Sequence, residues 1–180
     1  MNNKYIITGA PGTGKTSIIN DLISRDFSCV KENSREVISE QLLTGGDILP
    51  WKNQIAFEEK ISRLRIQQYK KNMNDNLVFF DRSPFDSLAY LNLSNLKFTN
   101  NLIRSIKKCK FNKSVFYTPI WTEIYVNDKE RIEDVNKAKK IEDAIIKMYS
   151  NQGFNLIKVP KLEIKARTDF IISKTTYLQI

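Results

Sequence analysis

Short apolar runs alternate along the chain with longer stretches in which apolar positions recur at helical spacing. The apolar runs predict five buried strands, at residues 5–8, 27–30, 77–80, 114–117 and 154–159. The periodic stretches predict helices at residues 17–23, 34–43, 53–72, 85–91, 128–151 and 164–174, with a partly helical segment within 93–112. Strands that alternate with helices are typical of an α/β fold with a parallel sheet covered on both faces. Ligands of such sheets bind at the carboxyl ends of the strands.

The first predicted strand runs directly into a glycine-rich segment, GAPGTGKT, at residues 9–16. The pattern G-x-x-x-x-G-K-[ST] between a strand and a helix is that of a P-loop, although an ordinary glycine-rich turn is the alternative. We expect its backbone amides to bind phosphates, Lys15 to reach the β- and γ-phosphates, and Thr16 to bind Mg²⁺. The predicted nucleotide-binding residues are Gly9, Ala10, Pro11, Gly12, Thr13, Gly14, Lys15, Thr16 and Ser17.

A second informative segment, Asp81-Arg82-Ser83, follows the apolar strand at 77–80. A carboxylate there would face the P-loop, so we expect Asp81 to bind Mg²⁺ directly or through water, and Arg82 to hold an acceptor or its phosphate. The alternative is that Asp81 only caps the helix that starts after Pro84. Asp81 is followed by an arginine, whereas an ATPase that activates water has an acidic residue at that position. This difference argues against a mechanochemical ATPase. The sequence also lacks the Asn-Lys-x-Asp motif that recognises guanine in GTPases, so nothing in it supports a GTPase switch.

A kinase further needs an acceptor pocket, a carboxylate near the acceptor hydroxyl, and cations over the phosphates. Glu32 and Arg35, after the second predicted strand, could supply a base and a clamp, unless they form a solvated helix start. Trp51 could stack on a planar substrate, unless it packs under its own loop. Arg131 could begin a lid, although a surface ion pair would explain it equally well. Pro160, after the last strand, is expected to border the nucleobase.

The composition is that of one domain of 180 residues, with 41% hydrophobic and 27% charged residues. The net charge of +9 is uneven, because residues 1–90 carry 12 basic and 11 acidic residues while residues 91–180 carry 17 and 9. Such an excess is found in nucleic-acid-binding proteins, and also in phosphate-handling enzymes from lysine-rich backgrounds. The charge alone therefore does not establish a nucleic acid as the partner. We expect a small acceptor molecule instead, with a nucleic acid as the alternative.

Several classes of chemistry and location are excluded by the residues present. The chain has no histidine, so carboxylates, lysines and arginines must perform any acid–base work. Its two cysteines, Cys29 and Cys109, do not have the spacing of a metal site. No apolar run approaches the roughly 20 residues that span a bilayer, and the N-terminal run leads into the P-loop rather than a cleavage site. We expect a cytoplasmic protein without membrane attachment or an obligate protein partner.

Six segments in order along the chain carry a family resemblance. They are GAPGTGKT (9–16), REVISEQ (35–41), GGDILPW (45–51), FFDRSPFDSLAY (79–90), VFYTPIWTEIYVNDKER (115–131) and the dipeptide VP (159–160). With these segments the chain resembles the stand-alone AAA-type ATP-binding domains. Those domains are related to the nicotinamide riboside kinase domain and, more distantly, to thymidylate and deoxynucleoside kinases. The resemblance covers nearly the whole chain.

The resemblance implies a P-loop NTPase with a kinase-like three-layer sandwich and a five-stranded parallel sheet in the order 2-3-1-4-5. It implies one domain over residues 1–180, with an acceptor-side helical region at about 32–75 and a lid-like region at about 119–140. By similarity, Asp81 would serve the metal or the acceptor hydroxyl, Arg82 the acceptor and Arg131 the lid. Some members are nucleotide-binding regulators, and the resemblance does not imply the oligomeric AAA+ machinery.

The leading hypothesis is a Mg²⁺-dependent kinase that transfers the γ-phosphate of ATP or GTP to a small nucleoside- or nucleotide-like acceptor. Its predicted catalytic residues are Lys15, Asp81, Arg82, Arg131 and Glu32; its predicted acceptor-binding residues are Glu32, Arg35, Trp51 and Arg82. Two alternatives remain open. One is a nucleotide-dependent regulatory module with slow or no hydrolysis, and the other is a kinase of polynucleotide ends.

Overall fold

A computed structural model of the chain describes residues 2–73, 77–122 and 135–177. The strands are β1 (Lys4–Thr8), β2 (Ser28–Val30), β3 (Val78–Asp81), β4 (Ser114–Tyr117) and β5 (Asn155–Lys158). The helices are α1 (Lys15–Ser24), α2 (Ser34–Thr44), α3 (Gln54–Lys71), α4 (Pro84–Leu93), α5 (Asn100–Lys107), α6 (Val135–Asn151) and α7 (Ile164–Tyr177).

All five strands form one parallel sheet in the order β2-β3-β1-β4-β5, which confirms the predicted fold class and strand order. Ile7 of β1 lies opposite both Asp81 of β3 and Phe116 of β4. The carboxyl ends of these three central strands therefore lie side by side. The segments that follow them start at the same edge of the sheet.

Both faces of the central strands are buried. Every residue of β1 is buried, and successive side chains along a strand point to opposite sides of the sheet. Tyr5 and Ile7 pack with α1 and α7, in a cluster that also contains Phe79, Phe116 and Ile171. Ile6 faces the other way, in the larger cluster that the sheet forms with α3, α4, α5 and α6. Burial on both faces explains why the central strands β1, β3 and β4 are continuous apolar runs rather than alternating ones.

The boundaries of several helices follow local signals in the sequence. The α2 helix ends at Gly45, whose φ of 68° is the left-handed conformation that glycine tolerates best. The α4 helix has Pro84 in its first turn and Ser83 as its N-cap, in a reciprocal capping box with Asp86. Asp81 is the last residue of β3 and does not cap this helix, so the capping alternative is wrong.

Four further sequence predictions concern two helices, the cysteines and membrane-spanning segments. Of the polar stretch 93–112, the helical part is Asn100–Lys107. The predicted helix 128–151 is observed as Val135–Asn151, and its first seven residues lie outside the described ones. Cys29 and Cys109 are both free. Among the described helices, none combines the length and the apolar character needed to cross a membrane.

Candidate active site

The P-loop lies between β1 and α1, against the segment that follows β4. Thr118 donates from its amide to the Thr8 carbonyl at 2.8 Å, and its hydroxyl lies 2.6 Å from that of Thr13. A Cβ on Gly9 would lie 2.4 Å from the Thr118 hydroxyl, so only glycine fits there. The segment after β4 therefore supports the start of the loop directly.

Lys15 is buried beneath the loop that precedes it. Its Nζ donates to the Ala10 carbonyl at 2.7 Å and lies 3.4 Å from the Thr13 hydroxyl. Burial, and secondarily the charge of Arg82, lower the pKa of Lys15 to about 7. Thr16 and Ser17 are exposed on the first turn of α1. The loop thus encloses its lysine and leaves the adjoining helix N-terminus open.

Asp81 lies at the end of β3, beside the strand that leads into the P-loop. Its side chain is buried, and Oδ1 has no hydrogen-bond partner among the described residues. Burial raises the pKa of Asp81, while the nearby charge of Lys15 acts in the opposite direction. An orphaned carboxylate oxygen at this place is suited to a cation or a bound water.

Arg82 has a φ of 70°, an unusual conformation for an arginine, and its amide donates to the Ile7 carbonyl at 2.9 Å. This backbone conformation directs the buried guanidinium between two carboxylates. Nε lies 3.2 Å from Oε1 of Glu32, and Nη1 lies 3.1 Å from Oδ1 of Asp86. Such strain is common where a side chain must be held in one orientation for function.

Glu32 follows β2. Together with Lys15, Asp81 and Arg82 it forms a group of charged side chains, which we call the charge cluster. Oε1 of Glu32 accepts from the Ser34 hydroxyl at 2.8 Å and from Nη2 of Arg65 at 3.1 Å. Burial alone would raise the pKa of Glu32, but the charges of Arg82 and Arg65 outweigh it and lower the pKa to about 2. Glu32 is therefore an ionised carboxylate in a partly buried cluster, and not part of a solvated helix start.

Three residues that the sequence analysis did not single out complete the cluster: Arg65, Asp86 and Glu58. Arg65 of α3 donates to the Ser83 carbonyl and to the Ser87 hydroxyl, at 3.2 and 3.1 Å. Asp86 is fully buried and accepts from Arg82, from the Ser83 amide and from the hydroxyls of Thr8 and Tyr149. It joins α4 and α6 to the start of the P-loop.

Glu58 is a buried carboxyl group whose pKa is raised. It is 5% exposed on the buried face of α3, two turns before Arg65. Burial raises the pKa of Glu58 to about 7, although a hydrogen bond with Ser87 and the charge of Arg65 act against the increase. The signal in the sequence was the helical spacing of Glu58, Ser62 and Arg65 among the apolar positions of α3, which places three polar side chains on its core face.

The other predicted site residues lie outside this cluster. Arg35 is exposed on the first turn of α2. Trp51 is 63% exposed in the loop between α2 and α3, while Leu49 is the side chain that packs under that loop. Pro160 is half-buried after β5, and Arg131 falls in residues 123–134, outside the described ones. The structure thus brings together Lys15, Asp81, Arg82 and Glu32.

Comparison with protein families identifies the class to which this fold and loop belong. A family model described as AAA domain matches residues 4–167. The match spans all five strands, the P-loop and the charge cluster. The chain therefore belongs to the AAA domain family. No curated protein matches the chain.

Three solved structures illustrate the likeness of this fold to known proteins. A deoxyadenosine kinase from M. mycoides, with products dCMP and dCDP bound, matches with a TM-score of 0.71 and 18% identity over 97% of this chain and 99% of that one. The NadR protein in complex with NR matches with a TM-score of 0.73 and 12% identity, over 98% of this chain and 50% of that one. The YorR protein of Bacillus subtilis, in complex with phosphorylated GDP, matches with a TM-score of 0.63 and 15% identity, over 98% and 97%. At these identities the likeness establishes a shared P-loop kinase fold.

Proposed function

We propose that the protein is a Mg²⁺-dependent kinase that transfers the γ-phosphate of ATP or GTP to a hydroxyl of a small nucleoside- or nucleotide-like acceptor. One observation carries the proposal: the ionised Glu32 and the cation of Arg82 are paired beside the P-loop, at the same edge of the sheet. A carboxylate and a cation next to a phosphate site are what transfer to a hydroxyl requires.

On the donor side, the loop amides and Lys15 bind the phosphates and stabilise the charge that develops on the transferred group. Within the described residues, the hydrogen-bond partners of the buried Lys15 are neutral: the Ala10 carbonyl and the Thr13 hydroxyl. Moving its Nζ from these to a phosphate oxygen would replace a weak partner by a charged one. Pro160, after β5, would border the base.

Mg²⁺ fits the residues at this edge. No group of three or more His, Cys, Asp or Glu side chains within the described ranges is arranged to hold a metal. Mg²⁺ needs no such cage in kinases, because one carboxylate, a hydroxyl, waters and the substrate phosphates suffice. The unpartnered Oδ1 of Asp81 and the exposed Thr16 would hold it, and when bound it neutralises charge on the phosphates.

On the acceptor side, Glu32 would orient the acceptor hydroxyl and receive its proton. Arg82 and Arg65 keep that carboxylate ionised, which suits hydrogen-bond acceptance better than strong general-base catalysis. A loose phosphoryl-transfer transition state needs positioning and charge neutralisation more than a strong base. Glu58 and Ser62 add polar groups on the adjoining face of α3.

The nucleoside-like nature of the acceptor is supported by two further points. The matched structures include a deoxyadenosine kinase and a complex with NR. The exposed Trp51 provides a planar surface in the acceptor-side region, where Arg35 is also exposed. The proposal takes residues 1–180 as one cytoplasmic domain, with Arg131 in a lid over the phosphates.

The experiment is transfer of labelled γ-phosphate from ATP and from GTP, with Mg²⁺, to a panel of nucleosides, nucleotides and oligonucleotide ends. Label on a nucleoside or nucleotide, and none with Lys15→Ala, is the expected result. Tight nucleotide binding without transfer to any acceptor would replace the kinase with a nucleotide-dependent regulator. Label on oligonucleotide ends alone would identify a polynucleotide kinase.

A further inference from the structure

Arg167 lies on the first turn of α7 and is enclosed against the P-loop, with 2% of its surface exposed. Its Nη2 donates to the carbonyl oxygen of Thr13 at 2.8 Å. Its Nη1 lies 2.6 Å from the position that a Cβ on Gly14 would occupy. The guanidinium thus takes the space beside Gly14, at the point where α1 begins.

The charge of this arginine has no counterpart nearby in the described part of the chain. Nε and Nη1 have no hydrogen-bond partner there, and the ion pairs found there do not include Arg167. Burial lowers the pKa of Arg167, as expected where no anion offsets the loss of water. A buried cation without a partner is costly to the folded protein. A ligand anion would offset this cost.

The contact with Thr13 also controls a neighbouring amide. The Thr13 carbonyl and the Gly14 N–H belong to the same planar trans peptide, so they point in opposite directions. A donor that holds the carbonyl from the side of α7 therefore fixes the direction of the Gly14 N–H. A cationic donor also polarises the peptide group and makes its N–H a stronger donor. The amides at a helix start, which lack partners within the helix, are those that bind phosphate.

We propose that Arg167 is a positioning residue of the nucleotide site, which holds the Thr13–Gly14 peptide so that the Gly14 N–H faces the phosphate chain of the bound nucleotide. The polyphosphate lies across this peptide from the guanidinium and offsets its charge through the polarised peptide group. This inference rests on the nucleotide-binding part of the proposed function and not on phosphoryl transfer. It also explains why a glycine is required at position 14, since a side chain there would displace the guanidinium.

The test compares the binding of ATP, ADP and adenosine by calorimetry to the wild type and to three variants. Arg167→Met removes the charge and keeps much of the length of the side chain, and Arg167→Lys keeps the charge but not the planar fork. Lys165→Met, which removes an exposed charge two residues earlier on the same helix, is the matched control. We expect Arg167→Met to bind ATP and ADP about tenfold more weakly, with adenosine unchanged. Arg167→Lys should be intermediate and Lys165→Met should equal the wild type.

Two results would overturn the inference. One is unchanged ADP affinity in Arg167→Met, which would make the arginine a structural cation that another anion balances. The other is an equal loss for adenosine and ADP, which would move the contact to the nucleoside part. Circular dichroism shows whether Arg167→Met folds. If it does not, the affinities of Arg167→Lys for ADP and adenosine, compared with those of the wild type, test the inference in its place. A wild type that binds ADP but transfers no phosphate contradicts the proposed kinase alone, whereas one that binds no nucleotide contradicts both.

Discussion

Oε1 of Glu32 lies 3.2 Å from Nε of Arg82, although the two residues follow different strands. Glu32 comes after β2 and Arg82 after β3, and the parallel pairing of these neighbours brings their ends together. Because β3 also pairs with β1, this ion pair lies next to the P-loop. The sheet thus assembles a phosphate site and a carboxylate–arginine pair from segments far apart in the sequence.

Replacement of Glu32 by Gln tests whether this carboxylate serves the acceptor. The variant should lower kcat about 10–100-fold, because the acceptor hydroxyl loses a charged hydrogen-bond partner that orients it. The KM for ATP should stay near the wild-type value, because the P-loop is intact. Steady-state kinetics with Glu36→Gln, an exposed carboxylate on α2, provides the control. A wild-type kcat in Glu32→Gln would remove Glu32 from the reaction.

Glu58→Gln should change the pH dependence of stability. The folded protein retains the Glu58 proton up to a pKa of about 7, whereas the unfolded chain loses it near the ordinary value of 4.5. Between these values the folded state binds more protons, so wild-type stability falls as the pH rises. The variant lacks this loss and should gain about 3 kcal/mol relative to the wild type between pH 4.5 and pH 8.

Denaturant unfolding at several pH values measures this difference. Glu59→Gln removes a carboxylate at the adjacent position of α3, outside the charge cluster, and should show no comparable trend. A constant difference between Glu58→Gln and the wild type from pH 4.5 to pH 8 would mean that Glu58 is ionised in the folded protein throughout.

The apolar runs in the sequence were sufficient to predict the five strands, and the P-loop fixed the position of the first one. The order of the strands in the sheet followed from the family resemblance. The sequence also placed Glu32 and Asp81 at the site, since both follow such runs. It missed Glu58, Arg65 and Arg167 for a shared physical reason. Polar residues on the core face of a helix can be recognised as functional only when their partners on other elements are known. For Glu58 and Arg65 the partner is Ser87 of α4, and for Arg167 it is the Thr13 carbonyl of the P-loop.

The capping of α4 illustrates a second limit. Asp81 and Ser83 both precede Pro84, and either residue type can cap a helix. The structure assigns the cap to Ser83, because β3 extends to include Asp81. The strand predicted to end at residue 80 ends at Asp81. Asp81 is therefore held in the sheet as a site residue, and Ser83 is the residue that caps the helix. The lid role of Arg131 stays a prediction, since that residue lies outside the described ones.

Lys15→Met should separate stability from nucleotide binding. The buried ammonium is unfavourable without a phosphate partner, so the variant should be at least as resistant to heat as the wild type when no nucleotide is present. Addition of ATP with Mg²⁺ should raise the Tm of the wild type only. A large loss of stability in nucleotide-free Lys15→Met would show instead that the contact with the Ala10 carbonyl is structurally essential.

Asp81→Asn should affect the metal requirement more than the fold. The amide keeps the shape of the side chain but binds Mg²⁺ more weakly, so the Mg²⁺ concentration for half-maximal transfer should rise about tenfold or more. Stability should be equal or higher, because burial disfavours the charged carboxylate. An unchanged Mg²⁺ requirement in a transfer assay would exclude Asp81 as a metal-binding residue.

The most direct measurement of the central claim is the partition of labelled γ-phosphate between acceptor and water. Wild type, Lys15→Ala and Glu32→Gln are each incubated with labelled ATP, Mg²⁺ and the acceptor panel, and the products are separated. The account predicts label mainly on one nucleoside or nucleotide with the wild type, and little or none with either variant. Label found only in free phosphate, or equally with Lys15→Ala, would contradict it.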